Sequence, residues 1–248
     1  MDEVIVGLTT LYLGLDDTDM MDDAGTGQLA RSLARLFLAT APGCRIEGVS
    51  RHQLLQDPRI RCTRRNRCSC VVVGVQRAAV SASVSLARDH IRKKAVPGSD
   101  PGLCLAEEER IVPSLLAFAQ RAKRELLSPS EAISLAAEAG ILLEPLGGTG
   151  EGIIGALAAV GLRRSGNDGW LTLCEGIRDM EGPMAVGGLL AAGLDAVEDE
   201  RGQGLAVEEV VETRGRVRPA LRGGRKVVLV RRVGMKGWMT VKPESGGP

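Results

Sequence analysis

Apolar positions along the chain fall alternately into short runs and helical periods, and this alternation predicts the elements. "LYLGL" (11–15) reads as a short buried strand. From Gly27 to Ala39 the spacing of Leu29, Leu33, Leu36 and Phe37 has helical period. Residues 46–50 form a second strand candidate, followed by an Arg-rich connection from Arg51 to Arg67. "CSCVVVGV" (68–75) is the clearest strand, β-branched and bounded by polar residues. Residues 78–94 read as a helix ending in "RKK", where positive charge suits a helix C-terminus.

The stretch "VPGSDPG" (96–102), with two prolines and two glycines, breaks the pattern and marks a first candidate boundary. Two helices are predicted next, about 113–126 and 129–139. The second carries a full start signal: Ser128 as cap, Pro129 at the first helical position and Glu131 completing a capping box. Gly140 supplies its stop. Then come a strand at 141–146, a glycine turn at 147–152, a helix at 153–161 and a strand at 170–174. A glycine-rich helix near 183–194 and β-like pieces at 205–212, 226–233 and 237–242 complete the reading, with "ESGGP" as a frayed tail. No internal repeat is visible. Alternating elements with strands gathered near the end predict an α+β (mixed α/β) class, in three regions: 1–100, 101–175 and a small α+β region at 176–248.

Composition narrows the function. The only aromatics are Tyr12, Phe37, Phe118, Trp170 and Trp238, so base stacking on aromatic platforms has little to work with. The net charge of +1 hides two basic tracts, Arg45 to Arg67 and Arg214 to Lys242, the second following an acidic stretch around Asp195 to Glu200. The start "MDEVIV" is acidic where a secretory signal would be basic, and the longest apolar run, "IIGALAAVGL", is too short to span a bilayer. A cytoplasmic protein without a membrane partner is expected. Cys62, Cys68 and Cys70 lie close together but lack paired C-x-x-C units or a regular His companion, and are expected to be buried or incidental thiols.

Chemistry concentrates in "LDDTDMMDDAGTG". Asp16, Asp17 and Asp19 stand at the end of an apolar strand, where α/β folds place their sites, whereas Asp22 and Asp23 read as helix-capping residues. If the strand continues through the motif, Asp17 and Asp19 share one face and Asp16 takes the other. The following "GTG" opens a helix, whose free backbone N–H groups attract an anion. Carboxylates and a phosphate coexist only around a cation, and Mg²⁺ is the natural one. A haloacid-dehalogenase-type phosphatase is set aside: with Asp16 as the second acid its nucleophile position is Gly14, and in the other register Met20-Met21 replace the expected Gly-Thr.

"EPLGGTGEGIIGALAAVGL" places a second glycine-rich turn between a strand and a helix. Gly155, Ala156 and Ala158 make a small-residue face for tight packing, while Gly147 to Gly152 permit the approach of a phosphate or sugar. Gly150, Gly152 and Gly155 match G-x-G-x-x-G, which keeps a dinucleotide-binding oxidoreductase as a third-ranked reading; the absence of G-x-x-x-x-G-K-[ST] excludes an ordinary P-loop kinase. In "RHQLLQDPRIRCTRRNRCSC" guanidinium groups suit phosphates, and Asn66 stands where it could meet a base or ribose.

The three stretches together resemble one family, archaeal tRNA-isoleucine 2-agmatinylcytidine synthetase, in its N-terminal kinase-like region. The family's G-[IL]-D-D-T-D is met by Gly14 to Asp19, with Thr26 placed as its threonine at the helix start. N-P-x-I-P-x-x-T-x-x-N-x-A is met through Pro58, Ile60, Thr63 and Asn66, and G-R-G-x-[IV]-G-A-[IL]-A-A-[IV]-G by "GTGEGIIGALAAVG". Thr149 replaces the arginine of that last motif, Glu151 adds a charge, and the family's zinc ribbon has no counterpart here.

The resemblance covers roughly residues 11 to 174 and implies a stand-alone relative with a kinase-like α/β core at 1–100, completed by the glycine-loop region. It implies ATP and Mg²⁺ as cofactors and phosphoryl or ligase-type transfer to tRNA cytidine or a small metabolite, a tRNA-modification chemistry. The residues it implicates are Asp17, Asp19 and Thr26 in catalysis, Asp16, Asp17 and Asp19 on the metal, and Gly25, Gly27, Asn66, Gly148, Gly150 and Gly152 around the nucleotide. A tRNA, or a separate RNA-binding subunit, is the implied partner, with the basic tract Arg214, Arg216, Arg218, Arg222 and Arg225 as a substitute RNA contact or a solvated strand edge. The alternative reading is a non-catalytic nucleotide-binding regulatory module.

Overall fold

In the computed structural model, which describes residues 7–18, 25–60, 65–174, 176–215, 217–234 and 237–243, the chain divides into two units, Met1–Arg164 and Ser165–Pro248. The fold is mixed α+β.

The first unit is built on β1 (Thr9–Asp16), β2 (Arg45–Gln53), β3 (Arg67–Val75), β4 (Gly102–Glu107) and β5 (Leu142–Pro145), in the order β5-β4-β1-β3-β2 with every pair antiparallel. Strand β3 is buried along almost its whole length because both sheet faces are covered, which is why it reads as a continuous apolar run. Helix α1 (Thr26–Thr40) lays Leu29, Leu33 and Phe37 on one face. Helix α2 (Val80–Lys94) packs against α1, with His90 Nε2 2.7 Å from Ser32 Oγ. On the other face, Tyr12, Cys70, Val72 and Cys104 meet α3 (Pro113–Arg121), α4 (Pro129–Ala139) and α5 (Gly152–Ser165) through Leu115, Phe118, Ala132, Ile153 and Leu157.

Local signals decide several boundaries. Ser128 Oγ accepts the Glu131 N–H at 3.3 Å, and Gly140 adopts the left-handed conformation that ends α4. "GLCLAE" is a buried strand, β4, although the Pro-Gly that opens it reads as a break. Helix α3 stops at Arg121, short of the predicted 126, and the residues after it turn toward the β2–β3 connection.

The second unit contains β6 (Trp170–Leu173), β7 (Glu181–Ala185), α6 (Val186–Ala191), β8 (Ala196–Glu198), β9 (Val210–Arg214), β10 (Ala220–Arg222), β11 (Arg225–Val233) and β12 (Gly237–Thr240). Its strands run β6-β10-β11-β12-β9-β7, and β8 joins β11 in parallel. The helix predicted near 183–194 is instead β7 followed by the short α6. Pro183 is tolerated there because β7 lies at the end of the strand order, where a missing N–H costs no ladder bond. The β10–β11 turn is Gly223-Gly224, both with positive φ, as a two-residue hairpin of the primed type requires. Val186, Leu189, Val197, Val211, Val228 and Val230 form this unit's core.

Candidate functional site

The site begins where β1 stops. Leu11, Leu13 and Leu15 are fully buried, and Asp16 is the last strand residue. Asp17 follows with φ 46°, the one non-glycine residue with positive φ among those described. An aspartate tolerates that left-handed geometry better than most residues, and such outliers concentrate at functional sites. The strand therefore ends at Asp16 and does not run through the motif, the condition on which the expectation of opposite faces for Asp16 and Asp17 rests. Both line one pocket. Asp19, Asp22 and Asp23 lie outside the described residues.

Helix α5 approaches this strand end at backbone distance. A Cβ at Gly14 would overlap the Ala156 carbonyl, one at Gly102 would overlap Gly152, and one at Gly155 would overlap the Asp16 carboxylate. Glycine at these positions lets the first turn of α5 close on β1 and β4 and leaves Asp16 its space. The antiparallel sheet gives no βαβ unit around the glycine loop, which removes the structural context of a dinucleotide-binding reading.

Asp100, which no pattern in the sequence singles out, holds that loop. Its side chain accepts hydrogen bonds from Thr149 Oγ1 (2.5 Å) and from the backbone N–H groups of Gly150 (2.8 Å) and Glu151 (3.0 Å), and the residue is 3% exposed. An internal carboxylate thus takes up the N–H groups of Gly150 and Glu151. Gly148 (φ +60°) passes against the Asp100 side chain, and a Cβ on Gly152 would meet the Asp100 carbonyl. No local signal in "GSDPG" announces a partner 49 residues away.

At the other wall, α1 starts at Thr26, with Gly25 (φ 77°) at its cap position and no side-chain cap. Thr26 is 2% exposed; its Oγ1 accepts from the Thr18 hydroxyl (3.2 Å) and, more weakly, from the Thr18 N–H (3.4 Å). Gly27 is buried, with the Arg51 guanidinium beside it.

The β2–β3 connection supplies the third wall. Asn66 Nδ2 donates to the Leu55 carbonyl (2.9 Å), the Asn66 carbonyl accepts from Leu54 N–H (3.0 Å), and Leu55 N–H donates to the Ala122 carbonyl at the end of α3 (3.1 Å). Arg59 is held by Asp57 through Nε and Nη2, both at 2.8 Å, and this pairing depresses the Asp57 carboxyl to about 2. Arg59, Arg65 and Arg67 line the pocket, and Arg67 also donates to Gln53 Oε1 (2.8 Å). Arg61, Cys62, Thr63 and Arg64 are outside the described residues.

The resulting cavity, about 170 Å³, exceeds an engineered apolar cavity of ~150 Å³ known to admit benzene. Of the sequence-derived residues it gathers Asp16, Asp17, Thr26, Asn66 and Gly152. Gly25 and Gly27 adjoin it through Thr26, while Gly148 and Gly150 stand behind it in the loop fixed by Asp100. Among the described residues no three His, Cys, Asp or Glu side chains cluster closely enough to hold a metal by themselves. Asp16 and Asp17 fit the mode in which Mg²⁺ takes one or two carboxylates and fills its shell with phosphate and water oxygens. Cys68 and Cys70 point from β3 into the apolar core, where burial pushes the Cys70 thiol up to about 12.

In the basic tract of the second unit, Arg222 and Arg225 both turn onto Glu198, at 3.6 and 2.9 Å. Arg232 stacks over Trp238 at 4.8 Å from the ring centroid. Arg216 is not among the described residues. No helix among the described residues is long and apolar enough to cross a membrane.

No family model matches the chain, and no curated protein matches it. Solved structures do. The chain is similar to apo TiaS, a tRNA-isoleucine agmatidine synthetase, with 27% identity and a TM-score of 0.52 over 61% of this chain and 35% of that one. The complex of TiaS with its tRNA and ATP matches with 27% identity and a TM-score of 0.54, over 62% of this chain and 36% of that one. The complex of TiaS with tRNA, AMPCPP and agmatine gives 26% and 0.53, over 62% and 36%. The chain spans about a third of the length of these neighbours, and is a partial relative of them.

Proposed function

We propose that the pocket binds ATP with Mg²⁺ and transfers a phosphoryl group, the acceptor being a tRNA cytidine or a small metabolite. The observation that carries this reading is the convergence of Asp16, Asp17 and Thr26 at one pocket, at the junction of a strand end and two helix starts. The likeness to TiaS structures solved with ATP or AMPCPP supports it.

Asp16 and Asp17 would hold Mg²⁺, which when bound offsets charge on the phosphate oxygens. The first turn of α1, without a side-chain cap, directs backbone N–H groups at the anion, and the arginines of the β2–β3 connection add guanidinium donors. The Thr26 hydroxyl, which accepts a hydrogen bond from Thr18, would take the γ-phosphoryl group as the bond to ADP breaks, ADP leaving and the hydroxyl proton passing to solvent, and would then give the group to the acceptor. Asp100 keeps the start of α5 in one shape, so the carboxylates are fixed before substrate arrives.

ATP turnover by the full chain, with tRNA and agmatine added, tests the reading. Phosphate release that is lost in Asp17→Ala is expected. Tight ATP binding with no turnover under any acceptor condition would instead favour a nucleotide-sensing module.

A further inference from the structure

The proposed function uses the carboxylates, Thr26 and the arginines that line the pocket, and leaves its apolar side chains unassigned. This apolar end gathers where the β2–β3 connection is tied to the residues following α3. Leu54 and Ala122 are buried there in the apolar core and Leu127 packs against it, while Ile60 and Pro129 extend the same wall into the pocket. The Leu55 N–H to Ala122 carbonyl bond and the Asn66 side-chain bond to Leu55 hold these segments together. No aromatic side chain lines the pocket among the described residues. A flat heterocycle would lie between aliphatic surfaces.

Glu125 stands in this wall. Its Oε2 accepts from Arg121 Nε at 2.8 Å, and the same guanidinium also bonds Glu131, so Glu125 is fixed without spending its second oxygen. Oε1 has no partner among the described residues. A carboxylate oxygen accepts N–H groups and donates none, so at the edge of an apolar slot it favours a heterocycle presenting an N–H donor.

We infer that the apolar end is the nucleobase site and that Glu125 Oε1 accepts the exocyclic amino group of adenine. This rests on the ATP reading and adds to it a residue that determines base preference.

The test compares ATP with the purine ribonucleoside triphosphate that lacks only the 6-amino group, by titration of the full chain with Mg²⁺ present. Wild type is expected to bind ATP about ten-fold more tightly, the low end of what a hydrogen bond to a charged acceptor contributes, because Glu125 is half-exposed. Glu125→Ala is expected to bring the ratio to about one. Glu131→Gln, which loosens Arg121 without touching the pocket, is expected to keep it. Equal binding of the two nucleotides by wild type overturns the inference and leaves the ATP reading standing. A preference that persists in Glu125→Ala overturns the assignment to this residue. Failure of both nucleotides to bind overturns the ATP reading itself, and the inference with it.

Discussion

The Asp16 carboxylate occupies the space that a side chain at Gly155 would need. One residue is the last of a strand and the other lies in the first turn of a helix whose register is set by two further glycine contacts, Gly14 with Ala156 and Gly102 with Gly152. The position of the carboxylate proposed to hold the metal is thereby tied to the absence of one methyl group at a position far along the chain.

Gly155→Ala should accordingly displace Asp16. ATP affinity measured with Mg²⁺ should fall at least about ten-fold, and stability by about 1–3 kcal/mol from overpacking. Gly161→Ala, which crowds Ala119 and Leu115 away from the pocket, is the comparison: a similar loss in urea unfolding, with ATP affinity retained by the folded fraction.

Asp100→Ala strands three donors, one hydroxyl and two N–H groups, at the start of α5. A loss of about 2–3 kcal/mol in denaturant unfolding is expected. Thr149→Val removes only one of the three and should cost about 1 kcal/mol.

Thr26→Val deletes the hydroxyl held by Thr18 and keeps the side-chain volume. Turnover should fall by about a hundred-fold, the scale for losing a group that acts on the reacting centre, while Thr26→Ser should restore much of it. A steady-state phosphate-release assay separates the two variants.

The His90 site predicts a pH dependence. Ser32 Oγ–H donates to the Leu29 carbonyl (2.8 Å), so His90 Nε2, 2.7 Å away, carries the proton shared with Ser32. Burial, then Lys94 and Lys93, holds the imidazole below its ordinary value of 6.5. The unfolded chain therefore binds the second proton, the one that charges the ring, more readily than the folded chain does. Stability from this site is fully present above pH 6.5 and declines as pH falls through 6.5 toward the folded value. Thermal unfolding from about pH 7.5 to about pH 5.5 should show that decline in wild type and a flatter profile in His90→Gln.

Much of the first unit is legible in the sequence. Strand β3 has the apolar continuity of a strand covered on both faces, and α4 carries its own cap, first-turn proline and terminal glycine. Strand β4 is hidden because Pro101-Gly102 signals a turn, whereas here glycine serves the close approach of α5. Asp16 and Asp17 stand out because acids at a strand end are a local pattern, and Thr26 only through the family resemblance that places a threonine at this helix start. Asp100 does not, because its role consists entirely of bonds to residues 149–151 that only the folded chain brings near. The conformation of Asp17 is equally unreadable: a left-handed turn at an aspartate depends on what surrounds it.

The most direct measurement is calorimetric titration of ATP into the full chain with and without Mg²⁺, for wild type and Asp17→Ala. Binding that requires Mg²⁺ and is lost in the variant is the predicted result. Binding of equal strength with and without the metal, or unchanged in Asp17→Ala, would contradict the carboxylate site; no binding under either condition would contradict the nucleotide pocket as a whole.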